Sequence, residues 1–484
     1  MLMSPYHFLP LLLLCLHCTG VRAQTPLRLG ELQEMAATNA LDVLRARRNL
    51  ETARLDVRAL RASLRPRLDL TGNLPNYFRT SREVTLDDGT IGFREIELNN
   101  SFAGVTATQR VAATGATVSL ESRLQRTDNL TLEDKNYQGN PLRLFVRQPL
   151  FAFNPWKWDR ELLPLRENLT ESQLTAARAA AQLDATDRFF ALVEADQERR
   201  IAELNFRANE DLYRVAEERY ELGKITRGDL VQLRLELTSA RQNLLRADRL
   251  VGQASASIQQ LLGRTYTGEN FAPILPEEVA TVSIDAGTAR TRMQARRPEL
   301  TAAYLSEREA ERTVDQTKKD FGPQVSIEAG FGFVRSSPEL APIYNDPRDE
   351  RIVSVNVQLP LLDWGERRAR VRGAETNREL AREVARRTEL DLSTELEQLL
   401  EQWETVKREL ALAAEIRDLA NERFAISKAS YELGAIPLTE LTLAQQFRDQ
   451  NTRAYTATLR AYWFTYARLA RLTLWDYIND RPLD

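Results

Sequence analysis

Beyond residue 23 the sequence has no cysteine and no histidine: Cys15, Cys18, His7 and His17 are the only ones in 484 residues. Without them the remaining chain has no Cys/His zinc site, thiol nucleophile, Ser-His-Asp triad, disulfide or His-ligated haem. Methionine there is reduced to Met35 and Met293, so no methionine or histidine relay for soft metals is visible, which weakly disfavours a dedicated copper or silver carrier. The sequence has no Gly-rich phosphate loop with its lysine, so nothing marks it as a nucleotide hydrolase. Charge is nearly balanced, with 66 Lys+Arg against 69 Asp+Glu, so the basic surplus of a nucleic-acid binder is missing. No run after residue 23 approaches the ~20 apolar residues of a spanning helix, which leaves a soluble protein or a membrane β-barrel.

The first 23 residues read as a secretory signal peptide. Phe8 to Val21 is a leucine-dominated apolar stretch, and Val21-Arg22-Ala23 before Gln24 offers small residues where signal peptidase cuts, although the segment before it lacks Lys and Arg. Cleavage after Ala23 is the expectation. A retained anchor, or a lipid on Cys15 or Cys18, is the alternative.

The remainder is a tandem repeat. Tyr220-Glu221-Leu222-Gly223 recurs as Tyr431-Glu432-Leu433-Gly434, Asp229-Leu230 as Glu440-Leu441, and Gln148-Pro149-Leu150 meets Leu359-Pro360-Leu361, all at an offset of 211 residues. Upstream, Leu64 to Leu68 aligns with Phe321 to Val325 at an offset of 257, so the first copy carries 46 additional residues between Pro66 and Pro149. The expected division is a signal peptide at 1–23 and two repeats. The first, 24–275, holds a helix, a β-segment at 66–150 and a helical hairpin at 156–263. The second, 276–484, holds a helix at 288–320, a β-segment at 323–361 and a hairpin at 364–476.

Leu165 to Leu222 and Ala374 to Leu433 run for 58 and 60 residues without Gly or Pro. At 1.5 Å per residue each spans roughly 90 Å, a length that implies coiled-coil packing. Leu392, Leu396, Leu399, Trp403, Val406, Leu410 and Ala413 follow steps of four and three, and Leu230, Leu233, Leu237, Ala240, Leu244, Ala247 and Val251 do likewise. Gly223 and Gly434 stand where a left-handed residue ends each long helix, and Pro437 opens the return helix as an N1 proline would. Each repeat therefore makes an antiparallel helical hairpin.

Between the helices the period changes to two. Val325, Ile327, Ala329, Phe331 and Phe333 alternate with polar or small residues, as do Val353, Val355, Val357 and Leu359. The first repeat alternates at Leu68 to Leu74, Ala103 to Val111, Val118 to Leu124 and Leu142 to Val146. Such strands fit a transmembrane barrel, and they fit a soluble antiparallel sheet with one wet face equally well. Two strand pairs per chain are too few to enclose a pore, so a barrel requires oligomerisation. The added 46 residues include a further hairpin around Ala113-Thr114-Gly115 and longer external loops; whether that hairpin joins the barrel stays open.

Arg297-Pro298-Glu299-Leu300 at the start of the second repeat, Pro360-Leu361-Leu362-Asp363-Trp364-Gly365 before its long helix, and the paired Tyr-x-x-Gly tips resemble the TolC-like outer membrane efflux protein family. The resemblance covers nearly the whole chain after residue 23. It implies a mainly α fold with a β-barrel part, in which a homotrimer shares one barrel in outer membrane lipid and extends a tapering helical tunnel into the periplasm. It also implies a passive export channel for efflux or type I secretion, coupled through a periplasmic adaptor, the membrane fusion protein, to an inner-membrane transporter. Neither enzyme activity nor a cofactor, metal or nucleic-acid partner is implied.

Tyr220, Gly223, Tyr431 and Gly434 are first of all turn-forming residues; on that resemblance they also lie at the closed periplasmic tip where an adaptor docks. Asp229 and Glu440 match acidic positions near the constriction, where a ring of three carboxylates favours cation binding or opening. A solvated helix face is their plainer role, and Asp229 also has Arg227 nearby. Ala435, Ile436 and Pro437 replace a basic residue common after the second tip glycine, and Leu443 replaces a second acid, so the lock leans on packing. Arg297 and Pro298 read as a helix start. Trp156, Trp158 and Trp364 follow strand ends, at the membrane interface or packed on the barrel base. The competing reading is an envelope coiled-coil scaffold that conducts nothing. An envelope hydrolase is disfavoured, because the acids are interleaved with arginine along helices.

Overall fold

The structure, a computed structural model, describes residues 25–85, 89–276, 282–433 and 435–483. The expected signal peptide, with its cysteines and histidines, and Gly434 lie outside the described residues. In chain order the elements are β1 (Thr25–Arg28), α1 (Leu29–Asn39), α2 (Leu41–Ser63), β2 (Arg67–Asn73), β3 (Tyr77–Thr85), β4 (Ile91–Val111), β5 (Ala116–Asn129), β6 (Asp134–Pro149), α3 (Pro155–Glu221) and α4 (Arg227–Leu261). There follow β7 (Phe271–Ile274), α5 (Ala286–Arg296), α6 (Pro298–Asp320), β8 (Gln324–Ser337), α7 (Ala341–Asn345), β9 (Arg348–Gln358), α8 (Glu366–Glu432) and α9 (Leu438–Thr473). The fold is mainly helical with one large antiparallel sheet.

The two long helices, α3 and α8, contain 67 residues each, and both their first and last residues are related by the 211-residue offset of the repeat. The α3 helix starts upstream of the proline-free run and carries Pro164 within it. In α8 the four-three series is buried: Leu396, Leu399 and Trp403 are at most 2 % exposed, and Leu392, Val406 and Leu410 are buried as well. The series in α4 is half-buried at Leu230, Leu233, Leu237 and Leu244 and buried at Ala240, Ala247 and Val251.

The residues group into two compact units. One comprises the segment ending at Val43 with Arg178–Ser283 and Glu401–Leu469. There β1 and β7 pair in parallel, and Leu32, Phe189, Phe190, Leu192 and Ile258 form a closed core. Trp403 stacks at 4.6 Å from Tyr462 and 6.0 Å from Tyr466, and its indole N–H donates to the Val282 carbonyl at 3.3 Å. Such aromatic contacts add to burial, and the indole's polar atom is satisfied. Burial of Tyr462 raises its phenol to about 12.

The second unit, Leu44–Ala177, Ile284–Leu400 and Ala470–Asp484, contains the sheet. Its strand order is β2-β4-β5-β6-β8-β9, and β3 pairs with the upper part of β4. Because β2 pairs with Phe102–Thr108 and β3 with Ile91–Asn99 of the same strand, β2 and β3 form one interrupted edge. The sheet is thus six strands wide and antiparallel throughout. It holds three strand pairs, where the sequence suggested two, because the hairpin around Ala113-Thr114-Gly115 is hydrogen-bonded within it on both sides. Gly115, at φ +79°, makes the turn. The side-chain amides of Asn154 and Gln148 tie that turn down, donating to the Ala112 and Thr114 carbonyls at 2.8 and 3.0 Å. Junction β6–β8 fuses the two repeats into one sheet.

At the start of α6, Arg297 is buried and donates to the Arg471 carbonyl at 2.8 Å while pairing with Glu299 at 2.9 Å. Pro298 follows at N1, where its missing N–H costs nothing.

Candidate functional site

Two places carry functional geometry: the paired helix tips and the two faces of the sheet. At the first tip Gly223 has φ +64°, its amide donates to the Tyr220 carbonyl at 2.9 Å, and the Lys224 amide reaches the Arg219 carbonyl at 2.8 Å. This double bond pattern ends a helix through a left-handed residue and satisfies carbonyls the helix leaves open. At the second tip the Ala435 amide donates to the Ser430 carbonyl at 2.9 Å, the same long bond displaced by 211 residues.

The return helices begin differently. Thr226 caps α4 in a reciprocal box: its hydroxyl accepts from the Asp229 amide at 3.2 Å and donates to the Asp229 carboxylate at 2.7 Å, while its own amide donates to that carboxylate at 3.0 Å. The Thr226 hydroxyl, then its amide, hold the Asp229 carboxyl below its ordinary value. The spacing Thr226-Arg227-Gly228-Asp229 is legible as a capping signature, and the charge reasoning that looked to Arg227 missed it. In the second repeat the helix starts at Leu438, so Pro437 occupies the cap position rather than N1. Proline has no hydroxyl to offer, and the exposed Glu440 gets no such tether. Tyr220 and Gly223 are thereby joined within one turn and Asp229 to Thr226; among the described residues no bond links Tyr220 or Asp229 to Tyr431 or Glu440.

Behind the tips, α3 and α9 are laced together by pairs far apart in sequence. Arg453 forks onto Glu198 at 2.8 and 3.2 Å, and Arg460 reaches Asp187 at 2.7 Å and Glu194 at 2.8 Å. Asn205 donates to the buried Asp449 at 3.4 Å and accepts from Gln445. The arginine pairs are partly exposed, which limits each to at most about 1 kcal/mol. They fix register more than they add stability. Sequence reasoning missed them because the partners lie about 240 to 270 residues apart.

The sheet sorts residues by face. One hydrogen-bonded row on its more apolar face runs Leu68, Ala107, Leu120, Leu144, Phe331, and the next runs Gln109, Val118, Val146, Ala329, Val353. The opposite face carries Arg67, Thr108 and Ser119, and a row of Arg110, Thr117, Arg147, Glu328 and Ser354. Arg147 pairs with Glu328 at 3.3 Å, and Arg143 passes over Gly332 to Glu350 at 3.7 Å. In a soluble sheet the apolar face is the covered one. Here it is bare: Leu68, Leu70 and Val353 are 72–78 % exposed, and Val355 and Val357 exceed half. A face of that kind matches hydrocarbon, with water on the polar side.

The tryptophans divide. Trp158 packs inward, donating to Asp315 at 2.8 Å, and Trp156 lies beneath Arg110 at 5.7 Å. Trp364, at φ +50°, is 90 % exposed.

The family model described as "Outer membrane efflux protein" matches residues 32–264 and 290–473. A membrane protein from Pseudomonas aeruginosa superposes with TM-score 0.67 at 19 % identity, over 92 % of this chain and 90 % of that one. The CmeC outer membrane channel of Campylobacter jejuni gives 0.66 at 15 %, over 92 % and 85 %. The open MtrE outer membrane channel of Neisseria gonorrhoeae gives 0.63 at 14 %, over 92 % and 88 %. No curated protein sequence matches the chain.

Proposed function

This chain belongs to the outer membrane efflux protein family, and from that premise we propose that three copies build one passive duct, the sheets forming a shared barrel and the helical hairpins a tunnel reaching into the periplasm. As an efflux channel of the outer membrane it needs an outside source of energy. A periplasmic adaptor docked on the helix tips, with an inner-membrane transporter behind it, supplies that in the proposed assembly. Type I secretion uses the same arrangement, and the duct serves either cargo.

The observation that carries this reading is the bare apolar face of the sheet, backed by a polar, ion-paired face. Further support comes from helix surfaces that one copy leaves open: Leu412, Ile416, Leu419 and Ile426 on α8 and Val231, Leu235 and Leu245 on α4 are exposed at coiled-coil spacing. Neighbouring copies cover such stripes in a trimer. Tyr220, Gly223, Asp229, Tyr431, Gly434 and Glu440 form the closing tip in this proposal. Asp229 is held by its cap, so Glu440 is the carboxylate free to face its symmetry mates, where like charges favour a bound cation or an opened tip.

Planar-bilayer recording on the purified trimer, its mass verified, tests the proposal. Small cation-selective currents are expected, rising when Tyr431→Ala removes packing at the tip, whereas Glu440→Ala, which removes the facing carboxylates, should lower the cation selectivity. A folded, helical protein that neither inserts nor conducts refutes the channel and favours the envelope scaffold. That second reading leaves the apolar sheet face unexplained.

A further inference from the structure

The two repeats contribute unequally to the sheet, β8–β9 from the second and two hairpins from the first. We propose that the trimer closes an 18-stranded barrel, six strands from each copy, in which β9 of one protomer pairs antiparallel with the β2–β3 edge of the next. The proposal rests on the trimeric outer-membrane reading above and adds the wall's composition and its seam.

Three features of the sheet converge on it. First, its two free edges are β9 and β2–β3. Unpaired backbone N–H and C=O groups are not tolerated in hydrocarbon, so both edges must find partners, and a second copy is the partner that completes both at once. Second, strand direction alternates across the sheet. With six strands, β9 runs opposite to β2–β3, so a threefold rotation brings the edges together antiparallel; an odd number would force a parallel seam. Closure by a repeated head-to-tail contact is what cyclic symmetry supplies.

Third, the added hairpin β4–β5 carries wall chemistry. Ala107 and Leu120 sit in the same hydrogen-bonded row as Leu68 on one side and Leu144 and Phe331 on the other. Its alternate residues Thr106, Thr108, Ser119 and Glu121 continue the polar face. The hairpin is paired on both sides, β4 with β2 over Phe102–Thr108 and β5 with β6 apart from one irregularity between Glu121 and Arg123, and its turn is anchored by Asn154 and Gln148. Expelling it from the wall would strip these ladders and break the apolar row. Strand spacing and tilt put such a barrel at ~36 Å across the backbone, against ~24 Å if each repeat gave one hairpin.

The test is a spin-label scan of single cysteines at residues 117–122 of β5 and 352–357 of β9 in the trimer reconstituted in bilayers. Made without residues 1–23, the protein has no other cysteine, so each substitution is the one labelled site of its protomer. If the proposal holds, both strands alternate with period two: Val118→Cys and Leu120→Cys favour oxygen in lipid, as Val353→Cys and Val355→Cys do, while Thr117→Cys, Ser119→Cys and Ser354→Cys favour a water-soluble relaxant. Alternation in β9 without alternation in β5 overturns the 18-stranded wall and leaves the channel intact. Alternation in neither strand removes the membrane reading and the proposal together. Electron cryomicroscopy of the unsubstituted trimer gives an independent count, about 1.5-fold wider than a wall of four strands per copy, and a count of 12 rejects the proposal.

Discussion

Placing a lysine at Val355 turns the orientation of the sheet into an energy. Val355 is 60 % exposed, lies between exposed Val353 and Val357 on β9, and faces Ile327 of β8 across the sheet. If that face meets hydrocarbon, Val355→Lys costs about 2–4 kcal/mol per site near the bilayer midplane, less where the side chain snorkels to the interface. Three copies make about 6–12 kcal/mol per trimer, comparable to the whole stability of an ordinary domain. The neighbouring Asn356→Lys projects from the polar face beside Ser326 and is expected to be nearly neutral. The assay is urea unfolding of the trimer in lipid, followed by its heat-sensitive mobility on gels, with assembled yield as a second readout. A soluble sheet predicts the opposite ordering, because replacing an exposed valine by lysine there improves solubility at little cost. Equal behaviour of the two variants, or a more stable Val355→Lys trimer, would refute the membrane-facing assignment.

Other substitutions probe separate links. Trp403→Ala removes the fully buried indole that packs on Tyr462 and Tyr466 and should cost about 3–5 kcal/mol, read as a lower melting temperature with the accessibilities of the two sheet faces unchanged. Gly332→Ala places a methyl 2.6 Å from the Leu142 carbonyl and 2.7 Å from the Arg143 Cα, both backbone, so the junction of the two repeats should lose about 1–3 kcal/mol. Gly330→Ala meets only the movable ring of Phe145 at 3.3 Å and should cost less; equal urea midpoints would contradict this. Thr226→Ala removes the α4 cap at a cost of about 1 kcal/mol, detectable as faster amide exchange over residues 227–230. Because the folded Asp229 carboxyl sits below its unfolded value, its contribution is complete above that unfolded value, about 3.9, and is lost as pH falls through the folded one. Acid should therefore loosen the wild-type tip, and Asp229→Asn should flatten that pH dependence of exchange; an unchanged profile would dismiss the cap.

Part of this architecture is one-dimensional and could be read directly from the sequence. Hydrophobic steps of four and three define the long helices because side chains that far apart share a helix face, and Gly223 marks a helix end because a left-handed residue is needed there. Period-two alternation located segments of β2, β4, β5, β6, β8 and β9 for the same geometric reason, though not β3, and the 211-residue offset matched the tip ends of α3 and α8. Local patterns also carried signals that went unread, such as the Thr226–Asp229 box.

Three results needed the tertiary structure. Alternation says that a strand has two faces but not which is covered; the bare exposure of Leu68, Val353 and Val355 decided that. Strand order depends on hydrogen bonds between residues far apart, so the place of β4–β5 inside the sheet and the β6–β8 junction between repeats appear only once the ladders are formed. The pairs Arg453–Glu198 and Arg460–Asp187 join helices about 255 to 273 residues apart, and a charged residue on a helix face carries no mark of its distant partner. Periodicity is a property of neighbours along the chain, whereas pairing is a property of the folded chain, and only the latter could count the strands in this sheet.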